Sequence, residues 1–235
     1  MNVAIVIPAL DEALPLPAVL AAIPRGDGVP GWTISAVVVA DNGSRDGTAD
    51  VARAHGATVV TEPRRGYGAA CLAALAWLRT RPPDAVAFLD ADGSSDPAQL
   101  ARVLAPVRDG HADLVIGSRT RGCREAGSLT SVQRFGNALA SALLRALWGS
   151  RTTDLGPYRA VRWSALEQLG MRDRDYGWTV EMQARAARAG LRVLEVPVDW
   201  RRRTAGRSKV SGTVRGVAGA GWKILFTIAR VRLGG

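Results

Sequence analysis

The chain has 235 residues, enough for one large α/β domain or two small ones. Its 47% apolar and 22% charged residues exclude wholesale disorder, and its two cysteines, Cys71 and Cys123, exclude a disulfide framework or a thiolate metal cluster. A formal charge of +10 implies an anionic partner: phosphate groups, nucleic acid or an acidic membrane surface.

In chain order, the β-branched runs "VAIVIP" (3–8), "ISAVVVA" (34–40), "ATVV" (57–60), "DAVAFL" (84–89) and "ADLVIG" (112–117) predict five strands. Helices are predicted between them, over roughly 13–22, 47–55, 66–80 and 97–108. Near-continuous apolar strands that alternate with helices imply an α/β fold, a mostly parallel sheet with helices on both faces. Further on, 131–149 reads as a long amphipathic helix, "DLGPYRAVRWSALEQL" as a short strand and helix, 180–190 as a helix ended by Gly190, and "LRVLEVPVDW" as strand. "RRRTAGRSKVSG" (201–212) has the composition of a mobile loop. The expectation is a single catalytic domain over 1–212, with an amphipathic segment over 213–235. On that segment Gly221, Trp222, Leu225, Ile228 and Ala229 project to one side, with Lys223 and Arg230 opposite, as in a basic helix lying on an anionic membrane surface; packing against the domain is the alternative. There is no basic leader before Val3 and no apolar run of about 18 residues, so a cytoplasmic chain is expected, at most peripheral on the inner face of the membrane.

The strand ends are more informative than the strands. Strand one runs into Asp11 and Glu12, strand two into Asp41 and Asp46, strand three into "EPRRGYGAA", strand four into "DADGSSDP" and strand five into "SRTRG". Open parallel sheets bind ligands beyond the carboxyl ends of their strands, so this edge is the expected active site. Asp90 and Asp92 are two residues apart in an extended segment and can address one ion, and a hard divalent cation prefers carboxylate oxygens. With only one or two protein carboxylates, Mg2+ or Mn2+ would take further oxygens from a substrate diphosphate. Asp96, ahead of Pro97, reads equally as a helix cap. Asp41 is placed to accept from a ribose or a base. Gly66 and Gly68 open a helix that, with Arg65, can help hold an anion, although the dinucleotide fingerprint is incomplete. A nucleic-acid module would interleave aromatics for stacking; only 6% of residues are aromatic, and no nucleic-acid partner is expected. A sugar-1-phosphate nucleotidyltransferase would need a glycine-rich loop where "PALDEA" stands.

Taken together, "IVIPALDEA", "VVVADNGSRDGT", "RRGYGAA", "LDADGSSDP", "GSR" (117–119), "DLGPYRAV" and "RRRTAGRSK" resemble the ordered signatures of inverting family 2 glycosyltransferases, of the dolichyl-phosphate or polyprenyl-phosphate sugar synthase type. The resemblance implies a GT-A fold, a Rossmann-like sheet that binds a nucleotide-diphosphate sugar with Mg2+ or Mn2+. It implies that Pro8, Ala9, Asp11 and Glu12 border the nucleoside, that Asp41 contacts base or ribose, and that Gly68 lines the same pocket. Asp90, Ala91 and Asp92 would form the metal and diphosphate motif, with Asp90 and Asp92 as metal residues and Asp92 the direct ligand. Arg119 and Arg134 would receive an acceptor phosphate, and Arg203, Ser208 and Lys209 would belong to a loop closing over the donor. Ser94 stands where some relatives have glutamine. The implied reaction moves a hexose, from UDP-glucose or GDP-mannose, to a polyprenyl or dolichyl phosphate; "RGYGAA" tilts the donor towards UDP. A soluble hydroxyl acceptor would instead require a general base, with Glu181 and Asp154 as candidates and a structural ion pair as the equal alternative for Glu181.

Overall fold

The computed structural model describes residues 1–205 and 214–234. Seven strands form one sheet: β1 (Asn2–Ala9), β2 (Thr33–Asp41), β3 (Thr58–Thr61), β4 (Ala85–Phe88), β5 (Leu114–Ser118), β6 (Arg159–Arg162) and β7 (Val193–Pro197). Their order is β3-β2-β1-β4-β6-β5-β7. All neighbours pair in parallel except β6, which runs antiparallel to both β4 and β5. The five strands expected from the sequence are present. The insertion of β6 between β4 and β5 is set by long-range pairing that no local pattern carries.

The helices are α1 (Leu16–Ala21), α2 (Thr48–Ala54), α3 (Tyr67–Leu78), α4 (Leu100–Arg108), α5 (Ser131–Trp148), α6 (Trp163–Leu169), α7 (Trp178–Arg188) and α8 (Val214–Arg232). They cover both faces of the sheet, and this accounts for the uninterrupted apolar strands. Alternate residues of β1 point to opposite sides. Val3, Ile5 and Ile7 pack with Leu16, Leu100 and Leu104, whereas Ala4 and Val6 pack with Cys71, Leu75, Trp178 and Met182. Local signals fix the ends of α5: Thr130 and Gln133 form a reciprocal capping box, and Gly149 ends the helix at φ 67°.

A third apolar cluster joins α5, α7 and α8 through Leu144, Val180, Ala184, Ile228 and Val231. Of the side projected as apolar, Ile228 packs against the domain. The cationic side of α8 faces inward: Lys223 lies 3.2 Å from Asp173, and Arg230 lies 3.0 Å from Glu181. The apolar residues Trp222, Leu225 and Phe226 are the exposed ones. Two fully buried carboxylates account for this orientation, because a buried charge without a partner is far more unfavourable than an exposed apolar side chain.

Candidate active site

The sheet reverses its order of progression at β1: the chain moves outward to β2 and β3 on one side and to β4 on the other. The crevice beyond the carboxyl ends of β1 and β4 is therefore the expected ligand position. Pro8 and Ala9 end β1, Asp41 ends β2, and Asp90 comes after β4 with one intervening residue. The loops after β1 and β2 are tied together. Asp11, in the left-handed region at φ 51°, accepts from the Arg45 amide at 2.8 Å and donates its own amide to Ser44 Oγ at 2.9 Å. Asp46 accepts from the Thr48 amide at the start of α2 and from the Ala13 amide, so it serves as a cap and as a tie. Asp41 is buried, and its Oδ1 accepts from the Ser44 amide at 3.3 Å. The Asn42 side chain donates to the carbonyls of Glu62 and Arg64 and accepts from the Gly66 amide, which fixes the entry to α3.

Asp90 and Asp92 come together beyond β4. Burial and the neighbouring Asp92 charge push Asp90 up to about 7, while Arg119, Arg203 and a 3.3 Å hydrogen bond from Tyr67 Oη act in the opposite direction. Burial and the charge of Asp90 hold the Tyr67 phenol well above its usual value, so it remains a donor. Asp92 Oδ1 accepts from the amide and hydroxyl of Ser94, leaving Oδ2 to face the Arg203 guanidinium at 3.1 Å. Ser94 thus orients Asp92. Ala91 is buried between the two acids. Asp96 caps the next turn through the Ala98 amide and pairs with Arg201 at 2.9 Å, as the capping alternative requires.

Residues 200–204 lie directly on this turn. The Arg201 amide donates to the Ser94 carbonyl, the Thr204 amide donates to the Asp92 carbonyl, and Trp200 bridges to Ser95. The arrangement places Arg203 between Asp92 and Glu12, whose two oxygens accept from Nη1 at 2.7 and 2.9 Å. Ser208 and Lys209 lie outside the described residues.

Arg119 lies just after β5. Its Nε and Nη2 fork onto the fully buried Asp154, and its guanidinium stacks 5.1 Å from the Trp200 ring. Its side chain is only 13% exposed. Arg134 is exposed on the first turn of α5, one turn before Asn137, whose side chain bonds Thr153 and Leu155 on either side of Asp154. Gly68 is buried where α3 starts. A Cβ there would come 2.1 Å from the Asp173 carbonyl, and one at Gly66 would come 2.1 Å from that of Arg174. The Ala69 amide donates to Arg174 at 2.8 Å, so this helix start faces backbone carbonyls, not an open anion site. The two glycines are required by the close approach of two backbone segments.

Both candidate general bases are fully buried and bonded to arginine. Glu181 is buried on α7, with Oε1 taken by Arg185 and Arg230 and Oε2 by the Arg172 and Asp173 amides. The structural alternative is the correct one for this residue. Asp154 is wholly engaged by Arg119, whose backbone amide bonds it as well as the guanidinium fork.

Sequence reasoning missed three residues here. Trp200 lies after β7 at the same sheet edge as the other strand-end residues, and that position is its signal. Tyr67 lies inside the glycine motif, where the glycines mask it. Arg159 is fully buried on β6; burial lowers it to about 10, and it donates to the carbonyls of Leu155, Gly156 and Thr179.

The donor atoms near Asp92 Oδ2 are hard oxygens already facing a cation. They suit a divalent ion that takes one or two carboxylates from the protein and its remaining ligands from a diphosphate. Among the described residues, no group of three or more His, Cys, Asp or Glu side chains can hold a metal without substrate. A separate cleft of about 440 Å³, lined by Met1, Trp32, Asp84, Arg108 and Trp163, opens at the opposite edge of the sheet, away from these acids.

The model of glycosyl transferase family 2 matches residues 4–170. An uncharacterized glycosyltransferase of Mycobacterium tuberculosis is 44% identical over 216 residues, covering 91% of this chain and 92% of that protein. An undecaprenyl-phosphate mannosyltransferase of Micrococcus luteus is 35% identical over 232 residues, covering 93% and 91%. A polyprenol monophosphomannose synthase of Mycolicibacterium smegmatis is 33% identical over 190 residues, covering 75% and 71%. Among solved structures, glucosyl-3-phosphoglycerate synthase of Mycobacterium tuberculosis, bound to Mn2+, UDP-glucose and phosphoglyceric acid, superposes with a TM-score of 0.77 over 98% of this chain and 79% of that one. At 23% identity, this likeness concerns the fold.

Proposed function

Because the chain belongs to glycosyl transferase family 2, we propose that it moves a hexose from a nucleotide-diphosphate sugar to a polyprenyl phosphate, with inversion at the anomeric carbon. The donor would lie in the crevice between Asp11, Glu12 and Asp41 on one side and Asp90 to Asp92 on the other. A bound Mg2+ or Mn2+ ion, held by Asp92 with Asp90 beside it, would supply Lewis acidity at the leaving diphosphate. Arg203, steadied by Glu12, is placed to turn from Asp92 to a phosphate oxygen and stabilise developing charge. Arg119, clamped by Asp154 and Trp200, offers a preset cation to the acceptor phosphate, and Arg134 stands at the α5 side of the same segment.

The observation that carries the phosphate acceptor is the engagement of Glu181 and Asp154. A hydroxyl nucleophile needs a base, and both candidates are fully buried and bound to arginine; a phosphate oxyanion needs none. The two lipid-phosphate relatives are named for mannose, which supports GDP-mannose ahead of UDP-glucose. Close backbone approach explains the glycines of "RGYGAA" without reference to the donor's base.

Access to a lipid fits the outer surface of α5 and α8. Val132, Phe135 and Leu139 on α5 and Trp222, Leu225 and Phe226 on α8 are exposed, with Arg134, Arg145, Arg151 and Arg232 nearby in sequence and also exposed. Apolar side chains rimmed by cations match an anionic bilayer surface. No helix among the described residues is long and apolar enough to cross a membrane. A second reading, transfer to a soluble phosphorylated acceptor, draws on the fold shared with the phosphoglycerate enzyme. The test is release of nucleoside diphosphate from a panel of sugar nucleotides, with Mn2+ or Mg2+, with and without polyprenyl phosphate. Metal-dependent release stimulated by the lipid supports the proposal. Stimulation only by a soluble acceptor selects the second reading, and no release with no donor binding overturns both.

A further inference from the structure

The segment 172–175 stands between α8 and the start of α3, and both of its sides are tightly held. Towards α3, the carbonyls of Asp173 and Arg174 fill the space that side chains at positions 68 and 66 would need, and Arg174 accepts the Ala69 amide. The residue between those glycines, Tyr67, reaches Asp90. Towards α8, the Asp173 carboxylate takes Lys223 at 3.2 Å, Thr227 Oγ1 at 3.3 Å and Arg230 at 3.8 Å. Glu181 takes Arg230 at 3.0 Å and, through its other oxygen, the amides of Arg172 and Asp173 at 3.1 and 2.7 Å. Gly177 allows this closeness, since a Cβ there would meet Thr227 and Asp173 at 2.4 and 2.5 Å.

We infer that Asp173, Glu181, Lys223 and Arg230 form a clasp through which helix α8 positions the 172–175 backbone and, by way of Tyr67, the acid pair at Asp90. The four are positioning residues. Both carboxylates are fully buried; Asp173 faces cations from α8, Lys223 and Arg230, and Glu181 shares Arg230 with Arg185 of its own helix, so withdrawal of α8 leaves Asp173 the more exposed to an uncompensated charge. If Lys223 and Arg230 withdraw, a buried carboxylate at Asp173 loses its cations and pulls its backbone segment towards water. That movement loosens the Arg174–Ala69 hydrogen bond that seats α3. The helix that carries Trp222 and Phe226 on its outer surface is thereby linked to the donor site through its inner surface, so that events at that surface reach donor binding. The linkage to the donor rests on the transferase reading; the clasp itself does not.

Two readouts separate these layers. In the ligand-free protein, Lys223→Met and Arg230→Met should speed hydrogen exchange in the peptide covering 66–72. Ile228→Ala, which weakens the same helix without touching either carboxylate, should leave that peptide unchanged at an equal loss of thermal midpoint. Lys223→Arg should restore protection. By calorimetry, Lys223→Met should bind the released nucleoside diphosphate about tenfold more weakly, again unlike Ile228→Ala. Unchanged exchange at 66–72, or an equal effect of Ile228→Ala, overturns the clasp. Altered exchange in a protein that binds no nucleoside diphosphate at all keeps the clasp and overturns the transferase reading.

Discussion

Asp90 is an acid placed where its charge is unfavourable. In the folded protein it titrates at about 7 against 3.8 for a free side chain, because burial and Asp92 both oppose ionisation. Between these two values the folded chain holds a proton that the unfolded chain has released, so the metal-free protein loses stability as pH rises through that window. The thermal midpoint in EDTA should therefore fall between pH 5 and pH 8 in the wild type and fall less in Asp90→Asn. Parallel curves for the two proteins would show that another group controls the slope. Arg203 is the counterpart cation, fixed by Glu12 and facing Asp92. Arg203→Ala should lower kcat by about 10² to 10³, the range for losing one preorganised donor to developing charge. Arg203→Lys should recover only part of it, because an ammonium cannot span Glu12 and a phosphate as a planar fork does. Full activity in the lysine variant would reduce Arg203 to a point charge. These acids and this arginine are legible in the sequence because each stands at a strand end or in a short basic run. The fit of Arg203 between Glu12 and Asp92 is not, because it joins positions 191 residues apart.

At the scale of elements, periodicity reveals which residues share a face but not what each face meets. The apolar runs of β1 and β4 identify buried strands, and the capping residues of α5 mark its start. For α8 periodicity groups Trp222, Leu225 and Ala229, which are exposed, but also includes Ile228, which is buried, and it leaves open which side faces the domain, since the carboxylates that Lys223 and Arg230 meet, Asp173 and Glu181, belong to another part of the chain. Glycines show the same limit. Gly68 and Gly136 both lie in helices, yet a Cβ at Gly136 meets nothing within 4 Å whereas one at Gly68 meets the Asp173 carbonyl at 2.1 Å, a contact no local pattern carries. Gly136→Ala should stabilise the protein by about 0.5–1 kcal/mol through backbone entropy alone. Gly68→Ala should destabilise it by about 1–3 kcal/mol, as overpacking forces α3 away from residues 173–174. Chemical denaturation of the two variants checks the opposite signs; a neutral Gly68→Ala would mean that the two backbones separate easily.

For the whole molecule, the +10 charge and the exposed apolar residues of α5 and α8 bear on one property, residence at a membrane surface. Charge alone predicts binding to any polyanion, weakened as salt shortens the Debye length from about 10 Å at 0.1 M to about 3 Å at 1 M. Apolar exposure alone predicts binding insensitive to salt and to lipid charge. If the proposed membrane association holds, both act together: cations would bring the protein to an anionic headgroup layer, and Trp222, which is 71% exposed, and Phe135, which is 69% exposed, would enter it. Cosedimentation should therefore show strong binding to phosphatidylglycerol-containing vesicles at 0.1 M salt, little to phosphatidylcholine vesicles, and a loss of about tenfold in partitioning at 0.5 M salt. Replacing Trp222, Phe226 and Phe135 with serine should weaken partitioning at both salt concentrations. Unaltered vesicle binding in that triple variant would leave charge as the sole attraction and remove the apolar surface from the route by which a lipid acceptor arrives.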